Sequence, residues 1–236
     1  MLDETDVSGE RKWFYEERAK IAVANLGRKN IDARYISDRK EALSTVLEMI
    51  PQGAVVARGD SVSLEQVGVI PELRRRGQNK VIDPFERDAE GFFLTETEQR
   101  RGMQREAFFS DIFLTGTNAI TLDGKLVNVD GLGNRVAPMI FGPKKVIVVA
   151  GVNKIVKDLD EALKRIREVC APVNAKRHYL KHQWPELGNL PCVRTGRCVD
   201  CNHDLRVCRY TVIIEGTMIR EKGRISVVLI GEELGI

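Results

Sequence analysis

The chain has 236 residues, 43% of them hydrophobic and 30% charged, with a formal net charge of +3. That length holds one large domain, or one domain with a small appendage, and folding at this size buries roughly 70–75% of the unfolded surface without staples. So small a positive charge gives no footing for nucleic acid, and no window reaches the ~20 apolar residues of a membrane helix. The opening "MLDETDVSGERKWF" lacks the apolar run of a signal peptide. The expected location is therefore the cytoplasm, where clustered cysteines more often mean metal or redox chemistry than disulfides.

In chain order, residues 10–35 read as a charged helix with a broken apolar stripe of Trp13, Ala19, Ala22 and Ala24. Asp38 and Glu41 form a capping-box pattern ahead of Ala42, Leu43, Val46, Leu47 and Ile50 at helical spacing. "AVVARGDSVS" reads as a short buried strand, Ala54 to Ala57, opening onto a Gly-Asp-Ser loop, and "LEQVGVIPELRRRG" as the next helix. The basic run Arg74–Arg75–Arg76 before Gly77 fits a helix C-terminus, which favours cations. "NKVIDPF" is a second strand, and residues 95–109 read as a helix with Thr95 and Glu98 as its capping pair.

Ile112, Phe113 and Leu114 make a buried strand, and "AITLDGKLVNV" a hairpin whose Asp123–Gly124 turn suits type I′ geometry. "KKVIVVAG" is a continuous apolar strand of the kind found in doubly covered parallel sheets. Asp158 and Glu161 cap a helix carrying Leu159, Ala162, Leu163, Ile166 and Val169, and Cys170 ends its apolar face as a core residue. After a cysteine-bearing insertion, "YTVIIEG" and "RISVVLIG" close the chain as strands. Alternating strands and helices predict a single α/β domain, a mostly parallel sheet with helices on both faces.

Ligands of such sheets sit beyond the carboxyl ends of the strands. Three glycine-bearing loops follow strands here: Arg58–Ser63, Thr115–Asn118 and Val129–Arg135. Their small residues admit close backbone approach and present N–H groups to an anion. The candidate contacts to a small anionic ligand are Arg58, Ser61, Thr115, Gly116, Asn118, Asp130, Gly131, Gly133, Asn134 and Arg135, with Arg58 and Arg135 supplying charge. "DGLGNR" serves equally as a plain strand-to-helix connection. No G-x-G-x-x-G, Walker A or G-x-S-x-G pattern is present, and Glu215 reads as a solvated residue at a turn.

Four of the five cysteines fall in "PCVRTGRCVDCNHDLRVCR". Cys192, Cys198, Cys201 and Cys208 lie in a loop of turn formers, as a metal wrap requires. Four thiolates suit a [4Fe–4S] cluster or tetrahedral zinc, and Arg194, Arg197, Arg206 and Arg209 would offset their charge. Only one C-x2-C knuckle is present, and ferredoxin spacing is not matched, so cluster, zinc and free thiols all stay open. His178 and His182 have the i, i+4 spacing of a helical metal pair but no matching acid in sequence. Those two and His203 read as surface or packing residues, although His203 sits inside the cysteine loop.

"GDSVSLEQVGV", "DIFLTGTNAITLDGKLVNVDGLGNRVAPMIFGPKKVIVVAGVNKIV", "TGRCVDCNHDLRVCRYTVIIEG" and "VVLIGEELG" together resemble the lactate-utilisation (LUD-domain) family, from about residue 12 to the end. The resemblance implies a fold like that of glucosamine-phosphate deaminase, ribose-5-phosphate isomerase and CoA-transferase. It also implies a place in multi-subunit iron–sulfur systems that oxidise L-lactate to pyruvate, with redox proteins as partners. The tandem ferredoxin motif of a cluster subunit is absent, so this would be the LUD-only component with at most one centre. Two other functions stay open, a stand-alone transferase or isomerase on an acyl-CoA or sugar phosphate, and a non-catalytic assembly or regulatory subunit. Self-association is compatible with each.

Overall fold

The computed structural model describes residues 4–182 and 184–236, so the first three residues of the N-terminal stretch lie outside it. α1 (Ser8–Arg28) buries Ala19, Ala22 and Leu26 on one face, while Trp13 stays exposed. The helix ends earlier than its charge pattern predicted. Asn30 takes a left-handed φ of 63°, which Asn tolerates better than most residues, and β1 (Asp32–Ile36) follows as a strand. Next come α2 (Arg39–Glu48), β2 (Val55–Arg58), α3 (Val62–Val67), α4 (Val69–Arg76), β3 (Lys80–Ile82) and α5 (Thr97–Glu106). Asp38 caps α2 through the Lys40 and Glu41 amides. The expected helix after β2 is two helices, broken at the left-handed Gly68, and the three arginines do end the second one. Thr95 does not cap α5, because the chain enters at Glu96 with no side-chain cap.

β4 (Ile112–Thr115), β5 (Ala119–Thr121), β6 (Leu126–Asp130), α6 (Val136–Ile140), β7 (Lys145–Gly151) and β8 (Ile155–Val156) follow. The β5–β6 hairpin forms, but its turn is not type I′. Only Gly124 has positive φ (82°), and its N–H donates to Thr121 O at 2.9 Å, giving a tight turn that ends in a glycine bulge. α7 (Leu159–Arg165), capped by Asp158, runs through a π turn at Ile166–Cys170 into α8 (Ala171–His182). α9 (Pro191–Thr195), β9 (Tyr210–Ile214) and β10 (Ile225–Ile230) complete the chain.

Six strands form an all-parallel sheet in the order β1-β10-β7-β4-β2-β3. β10 is buried at all six positions and β7 at six of seven, which explains their unbroken apolar runs. One face packs on Val46, Leu64, Ile70 and Leu73 of α2–α4. The other packs on Ala22 and Leu26 of α1, and on Ile120, Leu126 and Met139. Met139 belongs to α6, and Ile120 and Leu126 belong to a feature the sequence pattern concealed, a second, mixed sheet in the order β8-β5-β6-β9. The two closing strands therefore part company, β9 joining the small sheet and β10 the large one. Each buried Val, Leu or Ile contributes about 1.5–3 kcal/mol by leaving water, and these two layers hold the strand ends that make the clefts below.

Candidate functional site

The carboxyl ends of β2, β4, β6 and β7 open into a cleft of about 80 Å³. Its lining includes Asp60, Ser61, Gly116, Asn118, Arg135 and Lys154 from the strand ends, and Ala171, Asn174 and Arg177 from α8. The α8 residues recur at three-residue steps, so one helical stripe forms the wall. Ser61 caps α3, its Oγ accepting the Leu64 N–H at 3.4 Å. A Cβ on Gly116 would sit 2.7 Å from that Oγ, so a side chain there would crowd Ser61 and take up cleft space.

Of the residues the sequence proposed, Ser61, Gly116, Asn118 and Arg135 line this cleft. Arg58 lines a neighbouring one, and Thr115, Asp130, Gly131, Gly133 and Asn134 line neither. Their roles are local. The Asp130 carboxylate accepts the backbone N–H groups of Leu132, Gly133, Arg135 and Val136 and so folds the loop onto α6. The Arg135 guanidinium donates to Gly116 O, Asn128 Oδ1, Asn118 Oδ1 and Val129 O, at 2.8–3.0 Å. Arg135 thus ties β4, β6 and the loop together and brings its positive charge to the cleft, partly offset by Asp130 and Asp60. Asn118 Oδ1 is doubly used, because it also accepts the Val129 N–H.

Sequence reasoning missed Lys154. It stands just beyond β7, is 4% exposed and lines the cleft. Its Nζ donates to Ser63 Oγ at 3.0 Å, and no carboxylate pairs with it among the described residues. Burial, reinforced by the Arg165 and Arg135 charges, pushes its pKa down to about 7, with Cys170 acting in the opposite sense. Cys170 is buried as expected, yet it also lines the cleft. The π turn lets Arg165 Nη1 reach both Cys170 Sγ (2.6 Å) and Asn118 O (2.8 Å).

Asp60 and Arg177, also missed, form a bidentate pair at 2.7 and 2.8 Å that lines both clefts. Burial alone would raise the Asp60 pKa, but the Arg177 guanidinium outweighs it and holds the carboxyl below its usual range. The second cleft, of about 220 Å³, is lined by Arg58, Arg74, Arg87, Arg177, Lys181 and His182 among others. Arg58 Nη1 pairs with Glu65 at 2.5 Å, and its Nη2 is buried without a partner. The acid lacking beside the histidine pair is Asp60, whose ligand atoms and those of His178 and His182 lie within 4.8 Å of one another. Both Asp60 oxygens already accept from Arg177, and Arg87 donates to His182 Nδ1. Burial, His178 and Arg87 push His182 down to about 3. A neutral, proton-bearing Nε2 and an orphaned guanidinium N–H suit an anion better than a cation.

Cys192, Cys198, Cys201 and Cys208 are half-buried free thiols that line one small cavity between α8 and the loop after α9. Asp200 takes a left-handed φ of 50° within the C-x2-C turn, and its N–H donates to Cys198 Sγ at 3.5 Å. Arg206 Nε is buried without a partner, and a guanidinium hydrogen bond to Cys208, helped by the nearby Cys201 and Asp200, raises the Arg206 pKa against the cost of burial. His203 Nδ1 instead accepts the Leu205 N–H. The loop is seated on the first cleft: Arg209 N donates to Asp130 O at 2.8 Å, a Cβ on Gly131 would lie 3.3 Å from Val207 Cα, and Ala171 and Val207 line both cavities.

No helix among the described residues is long and apolar enough to cross a membrane. Comparison with curated proteins finds no match. Among solved structures, the chain is similar to a DUF162 family protein from Deinococcus radiodurans, with 13% identity, TM-score 0.49 and coverage of 93% of this chain and 97% of that one. It is also similar to eIF2B beta from Chaetomium thermophilum, with 13% identity, TM-score 0.35 and coverage of 52% and 44%. A third is 5-methylthioribose 1-phosphate isomerase from Pyrococcus horikoshii, with 13% identity, TM-score 0.29 and coverage of 61% and 42%. The LUD domain family model matches residues 19–230. The chain belongs to the LUD-domain family, and with it to proteins associated with lactate utilisation.

Proposed function

We propose that this chain is a redox component of a lactate-oxidising system, holding a small 2-hydroxy or 2-oxo acid in the first cleft and an iron–sulfur centre on the four-cysteine loop. The observation that carries the reading is the shared wall: Ala171 and Val207 separate the cleft from the cavity on which the four thiols converge. At roughly 10–15 Å³ per water-sized group, the cleft admits about six non-hydrogen atoms, the size of lactate or pyruvate. Asn118 and Asn174 present amide groups to a carboxylate, and the Arg135 and Lys154 charges attract it. Lys154 Nζ, titrating near neutrality, holds or releases a proton beside the bound acid.

The thiol set fits a cluster better than zinc. Tetrahedral zinc with bonds of about 2.3 Å needs thiolates about 3.8 Å apart, and among the described residues no three of these cysteines come within 4.8 Å of one another. A cubane cluster holds its thiolates farther apart. The N–H to Cys198 and the buried Arg206 Nε are the donors that thiolate sulfur accepts. Such a centre, when bound, supplies one-electron transfer. Exposed Val199 and Leu205 beside the thiols would face a redox partner, and a reducing cytoplasm would keep the thiols available.

The test is to add L-lactate or pyruvate to anaerobically purified protein and follow the visible spectrum of the centre. A saturable spectral change that disappears in Gly116→Ala is expected. A spectrum indifferent to both acids would overturn the proposed coupling of cleft and centre.

A further inference from the structure

We infer that Lys154 is an amine nucleophile that forms an imine with the carbonyl carbon of a 2-oxo acid bound in the first cleft. The inference rests on the cleft half of the proposed function and not on the cysteine-bound centre. Three features of the lysine carry it. The side chain is 4% exposed yet borders the cleft. No carboxylate pairs with it among the described residues, and the Nζ–Ser63 Oγ contact uses an N–H, leaving the nitrogen lone pair of the neutral amine free. Its charged surroundings include Arg135 and Arg165, which disfavour the ammonium form, the arrangement that activates a lysine for carbonyl chemistry. An ordinary structural lysine would snorkel to water or pair with an acid. This one is confined, because a Cβ on Gly235 would meet Lys154 Nζ at 2.8 Å, so the chain closes over the amine.

The step balances without an external oxidant. Nζ adds to the C2 carbonyl, a proton moves from nitrogen to the carbonyl oxygen, and the resulting carbinolamine loses water to give the imine. Ser63 Oγ, already at hydrogen-bond distance, is placed to relay that proton. Asn118 and Asn174 would hold the carboxylate while Arg135 contributes field rather than a direct bond, since its donors are engaged elsewhere. A 2-hydroxy acid has no ketone carbonyl at C2, and its carboxylate is not electrophilic, so it would bind without reacting and the lysine would discriminate between the reduced and oxidised acid in a single cleft. That difference would retain the oxo acid and not the hydroxy acid.

The protein, purified without oxygen and carrying whatever centre it holds, is incubated with pyruvate and sodium cyanoborohydride, and the product is analysed by intact mass and peptide mapping. One saturable reduced adduct per chain on the peptide containing Lys154 is expected, with none from L-lactate. Lys154→Met and Lys154→Arg should lose that adduct entirely, while Ser63→Ala, which retains the amine, should slow its formation. No adduct, or adducts spread over exposed lysines and equal in Lys154→Met, would overturn the inference. Thermal melts with pyruvate keep the two ideas apart: stabilisation without an adduct leaves the cleft standing and removes the imine. An adduct together with no pyruvate- or lactate-dependent change in the centre removes the redox coupling and leaves the imine.

Discussion

Replacing Lys154 by Met removes a buried, unpaired amine while keeping most of its volume, and the consequence can be worked from its environment. The folded pKa lies near 7 against an ordinary value of 10.5. Between these values the unfolded chain binds a proton that the folded chain does not, so folding stability rises with pH. The slope approaches about 1.4 kcal/mol per pH unit between about pH 7.5 and 9.5, and the full difference is about 5 kcal/mol. Below about pH 7 both states are protonated and the penalty is constant. Lys154→Met abolishes the slope and stabilises the neutral-pH protein by about 2–4 kcal/mol after allowing for imperfect packing. Urea titrations of both proteins at a series of pH values measure the difference directly, with the other titrating groups cancelling in the comparison. Parallel pH profiles would refute the buried-amine reasoning, and a less stable variant at neutral pH would show that the ammonium has a partner.

Arg177→Met should destabilise the protein by about 2–3 kcal/mol, below the full value for a buried pair because both side chains keep some exposure, 17% and 22%. Asp60 is held below the usual carboxylate range, so the pair's contribution is complete at neutral pH and is lost as pH falls through the folded pKa, and denaturant midpoints should converge in strong acid. Gly116→Ala places a methyl 2.7 Å from Ser61 Oγ and should eliminate thermal stabilisation by lactate and pyruvate while leaving a cooperative melt. Inorganic phosphate should stabilise the wild type through the second cleft, and Arg58→Met, which removes its orphaned donor, should abolish that shift.

The parallel sheet was legible because β7 and β10 are buried on both faces and therefore written as unbroken apolar runs. The smaller sheet was legible only in its strands: the β5–β6 hairpin and β9 read as such, but β8 is two residues long, and nothing along the chain shows that β9 pairs with β6 instead of joining the large sheet. β1 was hidden for a related reason. Its alternating exposed and half-buried residues resemble a continuation of charged α1, and only pairing with β10 makes it a strand. At the site, half of the ten residues offered by the glycine loops line one of the two clefts, and the other half build the loops themselves. Asp130 is the clearest loop builder, and Arg135 does both, lining the cleft while its donors tie the loop to β4 and β6. Lys154 carried a readable signal, a single lysine inside the apolar run from Val146 to Val156. Arg177 carried none, because its pairing with Asp60 spans 117 positions.

The central claim is a thiolate-bound redox centre one wall away from an acid-binding cleft. Iron, acid-labile sulfide and zinc content of protein purified without oxygen, measured beside Cys201→Ser, tests it most directly. The account predicts roughly four irons and four sulfides per chain, with little zinc, and loss of both iron and sulfide in the variant. One zinc per chain, or neither metal after reconstitution with iron and sulfide, would contradict it.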